Sequence, residues 1–338
     1  MNIELLKKLC NAYGPSGMED EVRDIIIDEI KDYCDSFEID KVGNLIAFKK
    51  GIKDTGKKIL LSAHMDEIGF MIRKLTEEGY AYCDEIGGVE REVVGGKRIL
   101  IGTQKELGVI CAKAIHLQKQ EERGVCIPIE EMYIDLGCES FEELSEKISI
   151  GDEAVYVPNF EEFGNGMIKS KAIDDRVGCA ILIELLKEEL PCDTYFAFVT
   201  CEENGLRGAI PLSFKLKPDI AIVVEATTAA DIPGTPEGQE CCKVREGAVI
   251  SHMDGGTIYN KELFKKAVDT FEEKKIKYQV KNFVAGGNDS RAYQQYSGGS
   301  KVAAISVPVR YIHSPASVAA IEDIENTKNA VSALLETF

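Results

Sequence analysis

Apolar positions along this chain switch between two periods, and the switches mark out its architecture. Residues 3–13 and 19–34 repeat their apolar side chains at helical spacing, on either side of the turn GPSG at 14–17. Ser16 and Glu19 have the spacing of a capping box ahead of the second helix. IDKVGNLIAFKK and KKILLSAH then alternate or run apolar, as strands do. From about 70 to 165 the texture changes to short β-like segments separated by Gly-rich turns, with a single helical stretch, SFEELSEKI. Closely spaced strands of this kind predict a small antiparallel barrel or sandwich. After 166 helix and strand alternate again. The pattern predicts helices over 174–190, 203–214, 260–275, 289–297 and 317–336, and strands over 194–201, 219–225, 244–252, 277–284 and 301–308. The expected organisation is an α/β domain made of 1–69 and 166–338, interrupted by an inserted β domain at 70–165.

Four of the apolar runs finish on a residue that can bind a metal. They are KKILLSAH (His64), TYFAFVTCEE (Glu202, Glu203), PDIAIVVE (Glu225) and KVAAISVPVRYIH (His313). In open α/β sheets the site gathers outside the carboxyl ends of the strands. A further acidic pair, Asp174-Asp175, opens the helix predicted at 174–190.

Each of these residues also has an ordinary structural explanation. A lone histidine at a strand end is commonly structural, but Asp66 two residues after His64 lies on the same side of an extended chain. There it can accept the free imidazole N–H, which fixes the tautomer of a metal-bound histidine. Asp174 or Asp175 alone reads as a helix N-cap. Two in a row leave one free to enter a site. Of Glu202 and Glu203, one can bind metal while its neighbour faces substrate. A glutamate without a cation in a confined site is raised toward working pH and suits a general base. Glu225 closes a run that is otherwise apolar and needs a partner there. Two imidazoles and at least three carboxylates suit a pair of zinc-class ions sharing one carboxylate. His252 sits in a second His-Met-Asp triplet with nothing nearby to complete a set, and His116 falls in the inserted region. Arg310 and Tyr311 flank His313, and GGNDSRA at 286–292 reads as a loop near the site or a plain helix cap.

Composition narrows the partners. The 338 residues are 44% hydrophobic and 29% charged, enough for a sizeable core. A net charge of −18 argues against nucleic-acid or anionic-membrane partners, which need clustered Lys and Arg. The eleven cysteines are scattered, odd in number and without a CxxC pair, as expected of reduced thiols. The N-terminus lacks the apolar stretch of a signal peptide, and no run reaches the roughly 18 residues of a membrane span. A cytoplasmic protein is expected.

The stretches AHMDEIGF, KAIDDRVGCAIL, CEENGLRGA, EATTAADIPG and RYIHSP, in this order and spacing, resemble the glutamyl aminopeptidase and cellulase M family of dinuclear metallo-aminopeptidases. GPSGMEDEVRDII, YIDLGCESFEE and IGDEAVY extend the likeness over nearly the whole chain. The resemblance implies a zinc-exopeptidase-like α/β/α sandwich with a mixed sheet, interrupted by a small β-barrel-like domain. It implies two divalent ions per subunit, zinc first, with cobalt or manganese as alternatives. Asp174 would bridge them, His64 and Glu225 would complete one ion, and Glu203 and His313 the other. Glu202 would be the general base acting on a metal-bridging hydroxide, and Asp66 would orient His64. A cis bond between Asp174 and Asp175 is also implied. The substrates would be peptides with a free N-terminus, and the chain would form homo-oligomers, dodecamers by resemblance. The sequence departs from the family at Glu225, commonly aspartate, at Gly-Gly-Asn-Asp (286–289) for Gly-Gly-Thr-Asp, and at Ala-Ile-His-Leu (114–117) for Pro-Pro-His-Leu.

Competing readings are a related dinuclear hydrolase (an N-acyl amino acid deacylase or a carboxypeptidase), a glycoside hydrolase using paired carboxylates, and a catalytically silent assembly protein.

Overall fold

The computed structural model describes residues 1–338, the side chain of residue 122 excepted. Two helices, α1 (Ile3–Asn11) and α2 (Asp20–Ile30), precede strands β1 (Ser36–Ile39), β2 (Leu45–Lys49) and β3 (Ile59–His64). Next come β4 (Gly69–Leu75), β5 (Tyr80–Ile86), β6 (Arg98–Ile101), β7 (Glu106–Cys111), β8 (Tyr133–Asp135), helix α3 (Phe141–Lys147) and β9 (Glu153–Tyr156). The chain continues through β10 (Glu161–Phe163), β11 (Met167–Ser170), α4 (Ile173–Lys187), β12 (Thr194–Val199), α5 (Ala209–Leu216) and β13 (Ile220–Thr228). It ends with β14 (Ala248–Ile250), α6 (Lys261–Glu273), β15 (Tyr278–Val280), α7 (Ser290–Gln295), β16 (Lys301–Arg310), β17 (Ser317–Ala320) and α8 (Ile321–Leu335).

The large sheet is mixed. Its centre, β12-β3-β13-β16, is parallel throughout, while β1-β2 on one side and β17-β11-β10 on the other run antiparallel. Strands buried on both faces read as continuous apolar runs, which explains IAIVVE and KVAAISV. Alternate residues of these strands divide between two cores. Ile59 and Leu61, Phe196 and Phe198, and Ile220, Ile222 and Val224 pack with α1, α2, α4, α6 and α8. Leu60, Ala197, Val199, Ala221 and Val223 pack with α5 and α7. Helices therefore cover both faces, as an α/β/α sandwich requires.

The closed barrel β4-β5-β8-β7-β6-β9 has its own core, including Phe70, Ile99, Ile110 and Ile134. Its strands fall between β3 and β11 in the chain. No helix among the described residues is long and apolar enough to cross a membrane. All eleven cysteines are free thiols.

Several elements differ from the sequence pattern. Ser317–Ala320 is a strand, not the first turn of the last helix, because it completes antiparallel ladders with β16 and β11. Helix α5 starts at Ala209 rather than 203, since Glu202–Gly208 is folded into tight turns with positive φ at Gly205 and Leu206. Strands β14 and β15 are shorter than the apolar runs that suggested them. The capping box does not form: Glu19 makes no side-chain cap to α2, and both Ser16 and Glu19 are drawn instead to the site below.

Candidate metal centre

Strand β3 delivers His64 at its last residue, buried and facing the sheet's carboxyl edge. Glu202 and Glu203 lie three and four residues past β12, in the turn that precedes α5. Glu225 stands inside β13, three residues before its end, so the sequence placed it correctly beside the edge but not at a strand end. His313 lies past β16 in a turn, with φ 61°. Asp174 and Asp175 open α4 with non-helical backbone, and the bond between them is cis.

The two aspartates do different work. Asp175 accepts the backbone N–H of His64 at 3.2 Å and of Gly178 at 3.0 Å, so it caps the helix and ties it to β3. Gly178 permits this closeness: a Cβ there would meet the Asp175 carboxylate at 2.5 Å and the Val224 carbonyl at 2.6 Å. Asp174 points the other way. Its Oδ1 lies 3.3 Å from Nε2 of His64, and its Oδ2 lies 3.3 Å from Nε2 of His313. Glu225 Oε2 is 3.7 Å from His64 Nε2, and Glu203 Oε2 is 3.2 Å from His313 Nε2. Thus each Nε2 has one private carboxylate, and both share Asp174.

Asp66 organises the other side. His64 Nδ1 sits 3.1 Å from the backbone carbonyl of Asp66 and 3.3 Å from its carboxylate, which directs Nε2 into the cluster. The same carboxylate accepts the Ser16 hydroxyl at 2.6 Å and the backbone N–H groups of Glu202 (2.9 Å) and Glu203 (3.1 Å). Burial works against its charge, but His64 and these donors hold it below the usual carboxylate range. Glu19 accepts the N–H of Cys201 at 3.1 Å, anchoring the same turn from outside. The barrel closes over the cluster through the loop after β5, where Gly88 lies against His313 and Gly87 against Glu203.

Electrostatics expose a deficit of positive charge. Burial raises Glu225, with Asp175 adding to it, and burial raises Glu202 and Glu203 as well. Burial alone would lower both imidazoles, yet the carboxylates around them lift His64 well above its ordinary value and His313 to about 11. Asp174 Oδ1 and Glu225 Oε1 are buried without a hydrogen-bond partner. Donor atoms of His64, Asp174 and Glu203, and of His64, Asp175 and Glu225, come within 4.8 Å of one another. Unpaired buried oxygens beside imidazole nitrogens fit divalent cations, which would neutralise what the protein leaves uncompensated. Asp175 is the weaker donor of the second group because its oxygens already hold two backbone N–H groups.

Together these groups line a cavity of about 290 Å³, with the loop 285–288 on its far side. A more apolar groove of about 1020 Å³ adjoins it through Thr228, Ile312 and His313. Of the other residues singled out in the sequence, His252 is exposed against Phe264, and His116 is exposed in a short 3-10 turn. Arg310 forms a two-pronged ion pair with Asp231, at 2.8 and 2.6 Å. Asp289 is fully buried with both oxygens unpaired, and burial lifts it to about 7. Sequence reasoning missed the roles of Ser16 and Glu19. Their capping-box spacing was the only signal, and it pointed to a local bond rather than a distant one.

An α/β/α sandwich carrying a buried histidine–carboxylate cluster at its parallel edge defines a metal-dependent hydrolase. The chain belongs to the M42 glutamyl aminopeptidase family, whose sequence profile matches residues 43–329. It is 38% identical over 335 residues to a putative aminopeptidase of Acetivibrio thermocellus, covering 98% of this chain and 97% of that protein. It is 32% identical to the lysyl aminopeptidase of Pyrococcus furiosus, covering 98% and 96%. Its fold superposes on the Pyrococcus horikoshii TET1 peptidase, which can assemble into a tetrahedron or a large octahedral shell, with TM-score 0.88, 34% identity and 99% of both chains covered. The chain is accordingly an aminopeptidase, a metal-dependent hydrolase that acts at peptide N-termini.

Proposed function

We propose that the cluster is a dinuclear centre in which Asp174 bridges two divalent cations. His64 and Glu225 hold one, and His313 and Glu203 the other. The observation that carries this reading is the position of Asp174, with one oxygen turned to each imidazole at 3.3 Å. Zinc is the first choice for a mixed imidazole and carboxylate set, with cobalt or manganese as alternatives. Bound there, the ions would supply Lewis acidity to polarise the scissile carbonyl and acidify a water.

With the ions bound, Glu202 would be the residue to accept a proton from that water and deliver it to the leaving amine. Its carboxylate has no bond to the rest of the cluster, and burial raises it well above the ordinary glutamate value, the direction a general base needs. Its backbone is fixed by Asp66, as is that of Glu203, so ligand and base keep a constant separation. The cavity of about 290 Å³ accommodates little more than one residue, which suits removal of a single N-terminal amino acid. The adjoining groove receives the remainder of the peptide.

Residues 1–69 and 166–338 act as the catalytic unit, and 70–165 as the assembly unit of a homo-oligomer, a dodecamer by likeness to the P. horikoshii protein. Ile115, Leu117 and Val125, in the segment between β7 and β8, are 70, 63 and 64% exposed, apolar side chains suited to burial between subunits. A cytoplasmic location accords with this reading.

The test is Glu202→Gln in protein reconstituted with metal. Cleavage of aminoacyl nitroanilides falls by ~10²–10⁴ while bound metal is unchanged. Undiminished cleavage removes Glu202 from the role. Peptides with a blocked N-terminus remain intact; their hydrolysis would favour a deacylase or carboxypeptidase.

A further inference from the structure

Glu202 and Glu203 ride on one turn, and that turn does not owe its shape to its own sequence. Between β12 and α5 the backbone is left-handed at Cys201 (φ 51°), Gly205 (φ 96°) and Leu206 (φ 59°). Side chains other than glycine hold such conformations only where the surroundings impose them. Asp66 and Glu19 act inside the turn, on the N–H groups of Glu202 and Glu203 and on that of Cys201. Its two ends are closed from another direction, by Asn44.

Asn44 stands between β1 and β2, 156 positions before Thr200 and 164 before Gly208, and it is fully buried. Its Oδ1 accepts the Thr200 N–H at 3.0 Å. The Thr200 hydroxyl shares its proton between that same oxygen (3.3 Å) and the Val42 carbonyl (3.0 Å). Asn44 Nδ2 donates to the Gly208 carbonyl and to Asp40 Oδ2, both at 2.9 Å. Both donors and both acceptor sites of the amide are thereby used, and only one orientation of it satisfies them. Asp40 steadies the clip in turn, because its Oδ1 accepts the backbone N–H groups of Val42 and Asn44, each at 3.0 Å. A Cβ at position 208 would meet Asn44 Oδ1 at 2.4 Å, so glycine there lets the amide sit between the two ends. Among the described residues no other side chain bonds both Thr200 and Gly208.

We propose that Asn44 is a positioning residue for the hydrolysis, locking the 200–208 turn so that Glu203 meets His313 and Glu202 faces the cavity before any ion or substrate arrives. This rests on the roles given above to Glu202 and Glu203. The alternative is that Asn44 only fastens the β1–β2 hairpin to the sheet. Other walls of the cavity come from β13, Ser251, Asp254 and residues 285–288, none of which Asn44 bonds. Loss of the clip should therefore slow turnover more than it weakens substrate binding. A catalytic group displaced by about 1 Å can cost ~10²-fold in rate.

Amide hydrogen exchange on the full-length wild-type protein, stripped of metal by chelator and then reloaded with zinc, needs no variant to fold. The amides of Thr200 and Gly208 should stay protected in both states. Exchange that is fast without metal and slow with it overturns the proposal, because the ions would then be shaping the turn. Zinc-loaded Asn44→Ala is assayed on a leucyl nitroanilide at a temperature where circular dichroism shows it folded. Its kcat should fall by ~10–100-fold while KM stays within about threefold of wild type. Chelator titration should remove one ion from this variant ahead of the other, since the ion at Glu203 and His313 loses its fixed carboxylate and the ion at His64 and Glu225 does not. A variant with wild-type kcat per folded molecule and both ions released together overturns the proposal and leaves Asn44 a role in stability alone. If Asn44→Ala does not fold, the exchange result decides. A Glu202→Gln variant that cleaves as well as wild type removes the general-base reading whatever Asn44 does. Loss of cleavage in Glu202→Gln beside an undiminished Asn44→Ala removes only the role of Asn44.

Discussion

Asp66 and Glu67 are neighbours in the chain and belong to two buried charge clusters of opposite kind. Glu67 lies with Lys171 and Arg176, and the three are almost completely buried. Its carboxylate takes Lys171 Nζ at 2.6 and 2.8 Å and Arg176 Nη2 at 3.3 Å. Further protons of the two cations go to the carbonyls of Ala12, Leu9 and Gly14. Asp66 opens the other cluster, in which Asp174, Glu202, Glu203 and Glu225 outnumber two imidazoles and buried oxygens lack partners. One cluster pairs both of its cations with Glu67, gives most of their other protons to backbone carbonyls, Arg176 Nε being left without a partner, and ties α1, the segment after β3 and α4 together. The other has a deficit that cations from outside would fill. The lesson is that a buried charge cluster signals function when its carboxylate oxygens stand bare beside imidazole nitrogens, not merely because it is charged and buried.

The comparison can be broken at several points, in descending size of effect. Asp174→Ala removes the carboxylate shared by both imidazoles. It should abolish metal binding and lower kcat/KM by ~10³ or more, measured by metal analysis and nitroanilide assay. Retained metal would show that Asp174 does not bridge. Lys171→Met leaves Glu67 with Arg176 alone, at 3.3 Å, in the interior and should destabilise the fold by about 3–5 kcal/mol in denaturant titration. Metal stoichiometry should survive in the protein that remains folded. Should Lys171→Met strip metal while stability is unchanged, the two clusters are one unit.

Proton competition gives a smaller, graded effect. In the ion-free cluster the surrounding carboxylates raise both histidines, His313 to about 11, so protons occupy their nitrogens at neutral pH. Binding a cation must displace them. Metal affinity should therefore rise as pH rises through neutrality, and calorimetry in buffers of different ionisation enthalpy should register proton release. A pH-independent affinity would mean the imidazoles are not ligands. The smallest effect is expected from Ser16→Ala. It removes one of the donors to Asp66 and should cost about 1–3 kcal/mol in stability or a modest loss of kcat, with metal retained.

The candidate site was more legible in the sequence than the residues that support it. His64, Glu203, Glu225 and His313 stood out because polar residues that close or interrupt apolar strands have no place in a core, and strand edges are where sites form. Asp174 was visible as one of a pair, but local signals could not say which aspartate caps α4 and which leaves it. Glu67, Lys171 and Arg176 were invisible as a cluster, since charged residues ordinarily read as surface and their pairing spans more than a hundred positions. Ser16 and Glu19 misled for a related reason. The capping-box pattern describes two local bonds, and tertiary partners at Asp66 and Cys201 outcompeted them. The short β17 was hidden by the helix that follows it, because a ladder with strands from elsewhere decides its conformation.

The account turns on whether the unclosed cluster is completed by two ions. Metal content of the purified chain, measured by mass spectrometry after saturation with zinc or cobalt and exhaustive dialysis, tests this directly. Two ions per chain are expected, with both lost in Asp174→Ala. Fewer than one ion per chain, or an unchanged content in that variant, would contradict it.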